Sequence, residues 1–356
     1  MRILFISRAF PPVIGGIEKQ NFEILNALSA QVELKSIVNS KGKKFLFPFV
    51  IIALYRAFRL RKDYDVILLG DGVLAVVAAI IRCFSRVPVI CIVHGLDITY
   101  SNFIYRNCWL KIFFKSIDHF IAVGNETIRQ AVNRGLPVEK FSFVPNGVDI
   151  SLDYQPRNKK ELAGLLGFEP QGYCLLTLGR LVRRKGVLWF IENVMPALGS
   201  SVSYIIAGDG KDAGLIRQAI KDSGAAGKIL MLGNVSEADK DLLLSSVDIF
   251  VQPNIKVNGD MEGFGLVVLE AALHARPVIA SRLEGLADAI SDGENGILLE
   301  SENTEQYVMS IQALLQDQEL LKETGNKARD YVLENYSWEN IAEQYLQLIE
   351  SVCRTS

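Results

Sequence analysis

Histidine and cysteine are scarce in this 356-residue chain, and long apolar runs are missing. The three histidines, His94, His119 and His274, lack metal-ligand spacing, which argues against a structural zinc site. The five cysteines form an odd set without Cys-x-x-Cys spacing, which points to a reducing compartment. No segment reaches the ~18 apolar residues of a bilayer span. The longest, Phe45 to Tyr55, covers eleven positions and includes Pro48. MRILFIS at the N-terminus is too short for a signal-peptide core and reads as a buried strand, so a cytoplasmic protein is expected. A basic excess is missing as well: the formal net charge of −2 argues against a nucleic-acid binder.

What the chain does have is apolar content, 49% hydrophobic against 22% charged residues, enough for large buried sheets. Single cores stop growing near ~250–300 residues, so two domains are expected. The balance of −2 also hides an asymmetry. Residues 1–150 hold 19 Lys and Arg against 11 Asp and Glu, or +8, leaving 19 against 29, or −10, for the rest. The two halves should therefore meet different partners.

Short β-branched runs alternate with helix-length segments, the pattern of parallel sheets in an α/β protein. Strands are expected at Arg2–Ser7, Val32–Val38, Val66–Leu69, Val87–Val93, Phe120–Val123 and Ser142–Val144. The alternation breaks at VPNGVD (144–149) and DYQPRNKK (153–160), then restarts. Further strands follow at Tyr173–Leu178, Ser203–Ala207, Ile229–Leu232, Ile249–Val251, Val278–Ala280 and Ile297–Leu299, and the chain ends in helical pattern from Thr304. This predicts two doubly wound, Rossmann-like domains, with ligands at the carboxyl ends of their strands.

Four loops there could carry chemistry. RAFPPVIGGIEK (8–19) pairs Gly15 and Gly16 before a helix, either for close backbone approach to an anion or for a positive-φ turn. GRLVRRKG (179–186) gathers Arg180, Arg183, Arg184 and Lys185, groups suited to phosphate oxygens. MEGFGLVVLE (261–270) places Glu262 in a loop and Glu270 in the following helix, whose N-terminus favours an anion. Eight residues of helix span about 12 Å. Glycosidase carboxylate pairs lie about 5–9.5 Å apart, so two carboxylates gripping one extended ligand fit better than a hydrolytic pair. In VHGLD (93–97), His94 ends a strand; His119 and His274 read as structural. Asp63-Tyr64-Asp65 precedes a strand and reads as a turn.

Taken in order, PPVIGG, HGLD, VPNGVD, GRLVRRKG, AGDG, EGFGLVVLE and DGENG resemble the retaining nucleotide-sugar glycosyltransferases of family 4 over nearly the whole chain. The resemblance implies a GT-B fold, two Rossmann-like domains facing a deep interdomain cleft. Residues 1–155 would bind the acceptor, joined by a C-terminal helix at 338–356, and residues 156–337 would bind the donor. It implies catalytic roles for His94, Glu262, Arg180 and Lys185. Arg180 and Lys185 would neutralise the leaving diphosphate, Glu262 would hold sugar hydroxyls, and His94 would lie near the sugar's O6. Gly15, Gly16, Gly263, Phe264, Gly265, Leu266, Val267 and Glu270 would complete the donor site, Glu270 on the ribose. The donor would be a UDP- or GDP-sugar, with no metal and no other cofactor. The acceptor would be a glycan or lipid-linked molecule of bacterial polysaccharide, lipopolysaccharide or glycolipid synthesis. One departure is NIKVNGDM (254–261), about four residues longer than the commonest family spacing; a role in donor-sugar choice is expected.

Family acceptors are often lipid-linked, which gives the basic first domain a purpose. Lys41, Lys43, Lys44, Arg56, Arg59, Arg61 and Lys62 fall within one aromatic-rich stretch, and Arg106, Lys111 and Lys115 within a second at 102–115. Such segments favour anionic lipid surfaces, so a peripheral position on the inner face of the cytoplasmic membrane is expected. The bland alternative is two sheet-packing helices with solvated polar faces. Rival functions are an epimerase or phosphorylase on the same fold and a non-catalytic nucleotide-sugar binder. A dinucleotide oxidoreductase built on GDGKDA (208–213) is a weaker rival, because no acidic residue ends the next strand.

Overall fold

The computed structural model describes residues 1–13, 15–100, 102–103, 105–150, 159–167, 170, 172–224 and 227–355, without the side chains of Leu96, Arg106, Lys159 and Thr355. The expected break at 155/156 and most of the 153–160 stretch lie outside these residues. The chain forms two compact units, Met1–Gly147 with Tyr336–Ser356, and Val148–Asn335.

The first unit is built on six parallel strands: β1 (Arg2–Ser7), β2 (Glu33–Val38), β3 (Val66–Leu69), β4 (Val89–Val93), β5 (His119–Ala122) and β6 (Phe141–Phe143). They lie in the order β2-β1-β3-β4-β5-β6. The central strands are buried along their length, which is why they read as unbroken apolar runs rather than alternating ones. β4 begins two residues later than expected because Pro88 has no N–H for the ladder, although its carbonyl still accepts from Ile67.

The last helix, Trp338–Thr355, belongs to this unit. Trp338, Ile341, Tyr345 and Ile349 recur at helical spacing and pack with Ile3, Phe5, Leu68 and Ile90 of the sheet. The Trp338 ring passes 2.6 Å from where a Cβ of Gly147 would stand, so that position admits only glycine.

The second unit repeats the plan with β7 (Tyr173–Leu178), β8 (Val202–Ala207), β9 (Ile229–Gly233), β10 (Ile249–Gln252), β11 (Val278–Ser281) and β12 (Ile297–Leu299). The order is β12-β11-β10-β7-β8-β9. All twelve expected strands are present, shifted by at most two residues. The terminal helical pattern is interrupted by caps: Asp317 accepts from the Glu319 and Leu320 N–H groups, and Ser337 from that of Asn340.

Strand order reverses between β1 and β3 in one sheet and between β7 and β10 in the other. Ligand crevices of doubly wound sheets open at such reversals, on the carboxyl side. The loops after β1 and β3 meet in the first unit, and those after β7 and β10 in the second.

Candidate functional site

In the second unit, the loops after β7 and β10 are stitched together by hydrogen bonds to backbone carbonyls. Ile255 N–H donates to the Arg184 carbonyl at 2.8 Å, and Arg184 Nε donates to the Met261 carbonyl at 3.2 Å. Gly186 allows this approach: its φ is +66°, and a Cβ there would fall 1.7 Å from the Pro253 carbonyl oxygen. Gly208 and Gly210 serve the same loop, since Cβ atoms would stand 1.9 and 2.2 Å from the Gly179 and Leu181 carbonyl oxygens. Close packing on the cationic loop therefore accounts for the glycines of GDGKDA without a dinucleotide.

The stitching brings Lys185 and Glu262 into a buried ion pair, Nζ to Oε2 at 2.5 Å. Arg184 Nη1 lies 3.4 Å from the same oxygen, and Asn254 Nδ2 donates to it at 3.2 Å. Arg184 also pairs with Asp260 at 3.2 Å, so the 254–261 loop contributes a carboxylate of its own. Arg180 and Arg183 are exposed. Burial works against ionisation of Glu262, but Lys185 and Arg184 outweigh it and hold the carboxyl below its ordinary range. Burial lowers Lys185; Glu262 opposes this, and the positive charges of Arg184 and Arg180 add to it. Two buried cations, Lys185 and Arg184, thus converge on the Glu262 carboxylate.

Above this cluster the helix Leu266–Leu273 begins at Gly265, whose φ is +84° and whose missing Cβ leaves room for Leu286. Among the described residues, the N–H groups of Gly265, Leu266 and Val267 have no partner, the usual state of a helix start awaiting an acceptor. Gly263 and Phe264 are pressed by Gly285, which has no side chain because the Gly263 carbonyl carbon would lie 2.5 Å from its Cβ. Glu284 accepts the Glu262 N–H at 2.7 Å. Glu270, farther along the helix, pairs with Lys240 at 3.2 Å, and Lys240 also pairs with Glu237.

In the first unit, His94 follows β4 and its Nε2 is 2.9 Å from the Gly70 carbonyl. A carbonyl only accepts, which assigns the proton to Nε2. The His94 N–H and the Gly72 N–H both donate to Asp97, fixing the two strand ends together. Gly15 and Gly16 stand at the start of the helix Gly16–Ser29. The positive-φ alternative for this pair is corrected: Gly15 has φ 171°, an extended conformation open to any residue. A Cβ on Gly15 would meet the Glu18 carboxylate at 2.1 Å, a contact the end of that flexible side chain can relieve by turning away, and nothing lies within 4 Å of a Cβ on Gly16. Asp63 and Asp65 lie in a turn, paired with Lys35 and Arg2.

The first basic stretch forms a helix, Leu46–Arg59, with Phe49, Ala53 and Ala57 buried. Its outer face is not polar. Phe47 is 77% exposed, Tyr55 63% and Ile51 55%, and Lys41, Lys43, Lys44, Arg56, Arg59, Arg61 and Lys62 are all exposed around them. The second stretch differs from expectation. Leu110 and Phe114 are buried, and Tyr105, Trp109 and Phe113 pack on the core, Trp109 donating to the Val73 carbonyl. Among the described residues of that segment, Asn102, Phe103, Lys111, Ile112 and Lys115 are exposed, and Ile104 and the Arg106 side chain lie outside the described residues. No helix among the described residues is long and apolar enough to cross a membrane.

Sequence reasoning missed Asn254, Glu284, Lys240 and the Asp260 contact. Only the unusual length of the 254–261 loop pointed toward any of them.

Two doubly wound units with charged loops at their strand-order reversals have the architecture of the GT-B fold. Residues 18–152 match the family model of Glycosyltransferase Family 4 and residues 159–331 that of Glycosyl transferases group 1. The chain belongs to the family 4 glycosyltransferases. A GDP-mannose-dependent monoacylated alpha-(1-6)-phosphatidylinositol monomannoside mannosyltransferase of Corynebacterium glutamicum is 23% identical to it, over 98% of both chains. N-acetyl-alpha-D-glucosaminyl L-malate synthase of Bacillus anthracis is 26% identical, over 76% of this chain and 69% of its own length. The crystal structure of Anabaena Alr3699/HepE in complex with UDP superposes with a TM-score of 0.77 at 21% identity, covering 99% of this chain and all of that one.

Proposed function

We propose that this glycosyltransferase moves a hexosyl or N-acetylhexosaminyl group from a UDP- or GDP-sugar, with retention and without a metal, to a lipid-linked or glycan acceptor of the cell surface. The observation that carries this reading is the Lys185–Glu262–Arg184 cluster beneath the open N–H groups of the Leu266–Leu273 helix. Relatives named for GDP-mannose and a solved neighbour holding UDP are consistent with such a donor.

In this account the C1–O bond of the donor breaks with its electron pair passing to the diphosphate. The acceptor oxygen bonds to C1 from the same face through an oxocarbenium-like state, and its proton passes to a donor phosphate oxygen. Arg180, Lys185 and the helix N–H groups stabilise the charge arriving on the diphosphate, a task that needs fixed dipoles and cations rather than a base. Glu262 holds sugar hydroxyls and His94 lies at the reacting sugar. Gly15 and Gly16 give backbone access to the donor, and Glu270 accepts from the ribose in place of Lys240.

Substituting E270A removes that acceptor and is expected to weaken nucleotide-sugar binding about tenfold, the effect of one hydrogen-bonded pair to a charged group. Calorimetric titration with UDP- and GDP-sugars checks this; affinity equal to wild type would remove Glu270 from the site.

The exposed Phe47, Ile51 and Tyr55, in a segment with seven exposed cations, favour the lipid-surface reading of the first unit over a solvated polar face. Each Lys or Arg near an anionic surface contributes about 1 kcal/mol. Binding to phosphatidylglycerol vesicles is expected at low salt and should weaken with added salt. A protein that ignores such vesicles at low salt contradicts this reading.

A further inference from the structure

Arg8 follows β1, and Asp71 stands two residues beyond β3, the neighbour of β1 at the strand-order reversal. Arg8 Nε donates to Asp71 Oδ1 at 3.0 Å, and the same oxygen accepts the Val73 N–H at 2.9 Å. The Arg8 carbonyl is held in turn by Asn39 Nδ2 at 3.2 Å. Asp71 is 1% exposed, and its Oδ2 is buried with no partner among the described residues. Burial pushes this carboxyl up while Arg8 opposes the shift.

A buried carboxylate left half satisfied adds little to stability. What it provides is orientation. It grips the guanidinium through Nε alone, and the Nη1 and Nη2 groups have no partner among the described residues. Those two groups make the fork that matches phosphate oxygens. The Arg8 side chain keeps 19% exposure, so a ligand can reach it.

The surroundings narrow the ligand. Asn39 also donates to the Gly42 carbonyl at 3.0 Å, and a Cβ on Gly42 would lie 3.6 Å from Val13 Cγ2. The turn carrying Lys41 therefore lies against the loop after β1. It leads through Lys43 and Lys44 into the Leu46–Arg59 helix with its exposed Phe47, Ile51 and Tyr55. A cation fork beside a basic turn, at the head of an apolar face, suits a phosphate attached to an alkyl chain.

We propose that Arg8, braced by Asp71, is the acceptor-recognising cation of this transferase and takes a phosphoryl group borne by the acceptor. The inference rests on the reading of the first unit as the acceptor-binding one. The donor diphosphate has its own cations in the second unit, so Arg8 is not needed there.

The full-length protein and its R8Q, R8K and D71N variants are titrated with glycerol 1-phosphate and, separately, with UDP, and their melting curves serve as folding controls. R8Q is expected to bind glycerol phosphate about tenfold more weakly, the loss of one charge-assisted pair, and UDP as wild type does. R8K keeps the charge without the fork, and D71N keeps the fork without its anionic brace; both should fall between. Unchanged glycerol phosphate affinity in R8Q or R8K overturns the proposal. So does an equal loss of UDP affinity, which would make Arg8 a donor group. Phosphatidylcholine vesicles with and without phosphatidylglycerol separate the sources. If the soluble probe binds through Arg8 while wild type ignores both vesicles, the anchor stands and the lipid-surface reading falls.

Discussion

Replacing Lys185 with alanine is expected to lower turnover by about 10²–10³-fold while the donor KM changes only a few-fold, the magnitude seen when one preorganised donor to a developing anion is removed. Lys185 is 6% exposed and already fixed against Glu262, so no reorganisation is needed when charge arrives on the leaving diphosphate. Its removal leaves Glu262 with Arg184 and Asn254, so the loop keeps its partners. The fold should therefore survive and the loss should appear in kcat. A loss confined to KM would instead mean that Lys185 binds ground and transition states equally.

The second large effect falls on stability. Substituting E262A strands the buried Lys185 without its carboxylate, while Arg184 keeps Asp260. Breaking a buried pair from one side costs about 3–5 kcal/mol. Removing the lysine as well, in E262A/K185M, should recover part of that cost, because the stranded charge is gone. Thermal melting of the two singles and the double variant measures the coupling; strictly additive losses would contradict it.

The pH dependence carries the same sign. Because the folded carboxyl of Glu262 lies below its ordinary range, its contribution is complete above the unfolded value, roughly 4.3. That contribution is lost as the pH falls through the lower folded value. The E262Q variant should show a correspondingly flatter acid limb.

The central strands, such as β3 and β4, were legible because strands covered on both faces are uninterrupted apolar runs bounded by turn residues. The edge strand β2 (ELKSIV) was legible instead from its β-branched end and its place in the alternation. The cationic loop and the two glutamates were legible as residues, since each follows a strand at its carboxyl end. Their pairing was not. Lys185 and Glu262 are 77 positions apart, and only the neighbouring of β7 and β10 brings them together. The 102–115 segment misled for a related reason: aromatic and basic residues look alike whether their rings face lipid or the core, and Trp109 and Phe114 face the core. Arg8 and Asp71 carry no motif, because each acquires its role only when β1 and β3 lie side by side.

The most direct test of the account is to follow wild-type hydrolysis of UDP-, GDP- and ADP-sugars by proton NMR in the presence of a chelator. The account predicts slow turnover of one α-linked UDP- or GDP-sugar, releasing the α-anomer first, with activity unaffected by the chelator. Release of the β-anomer first, or turnover that stops when metal is removed, would contradict it.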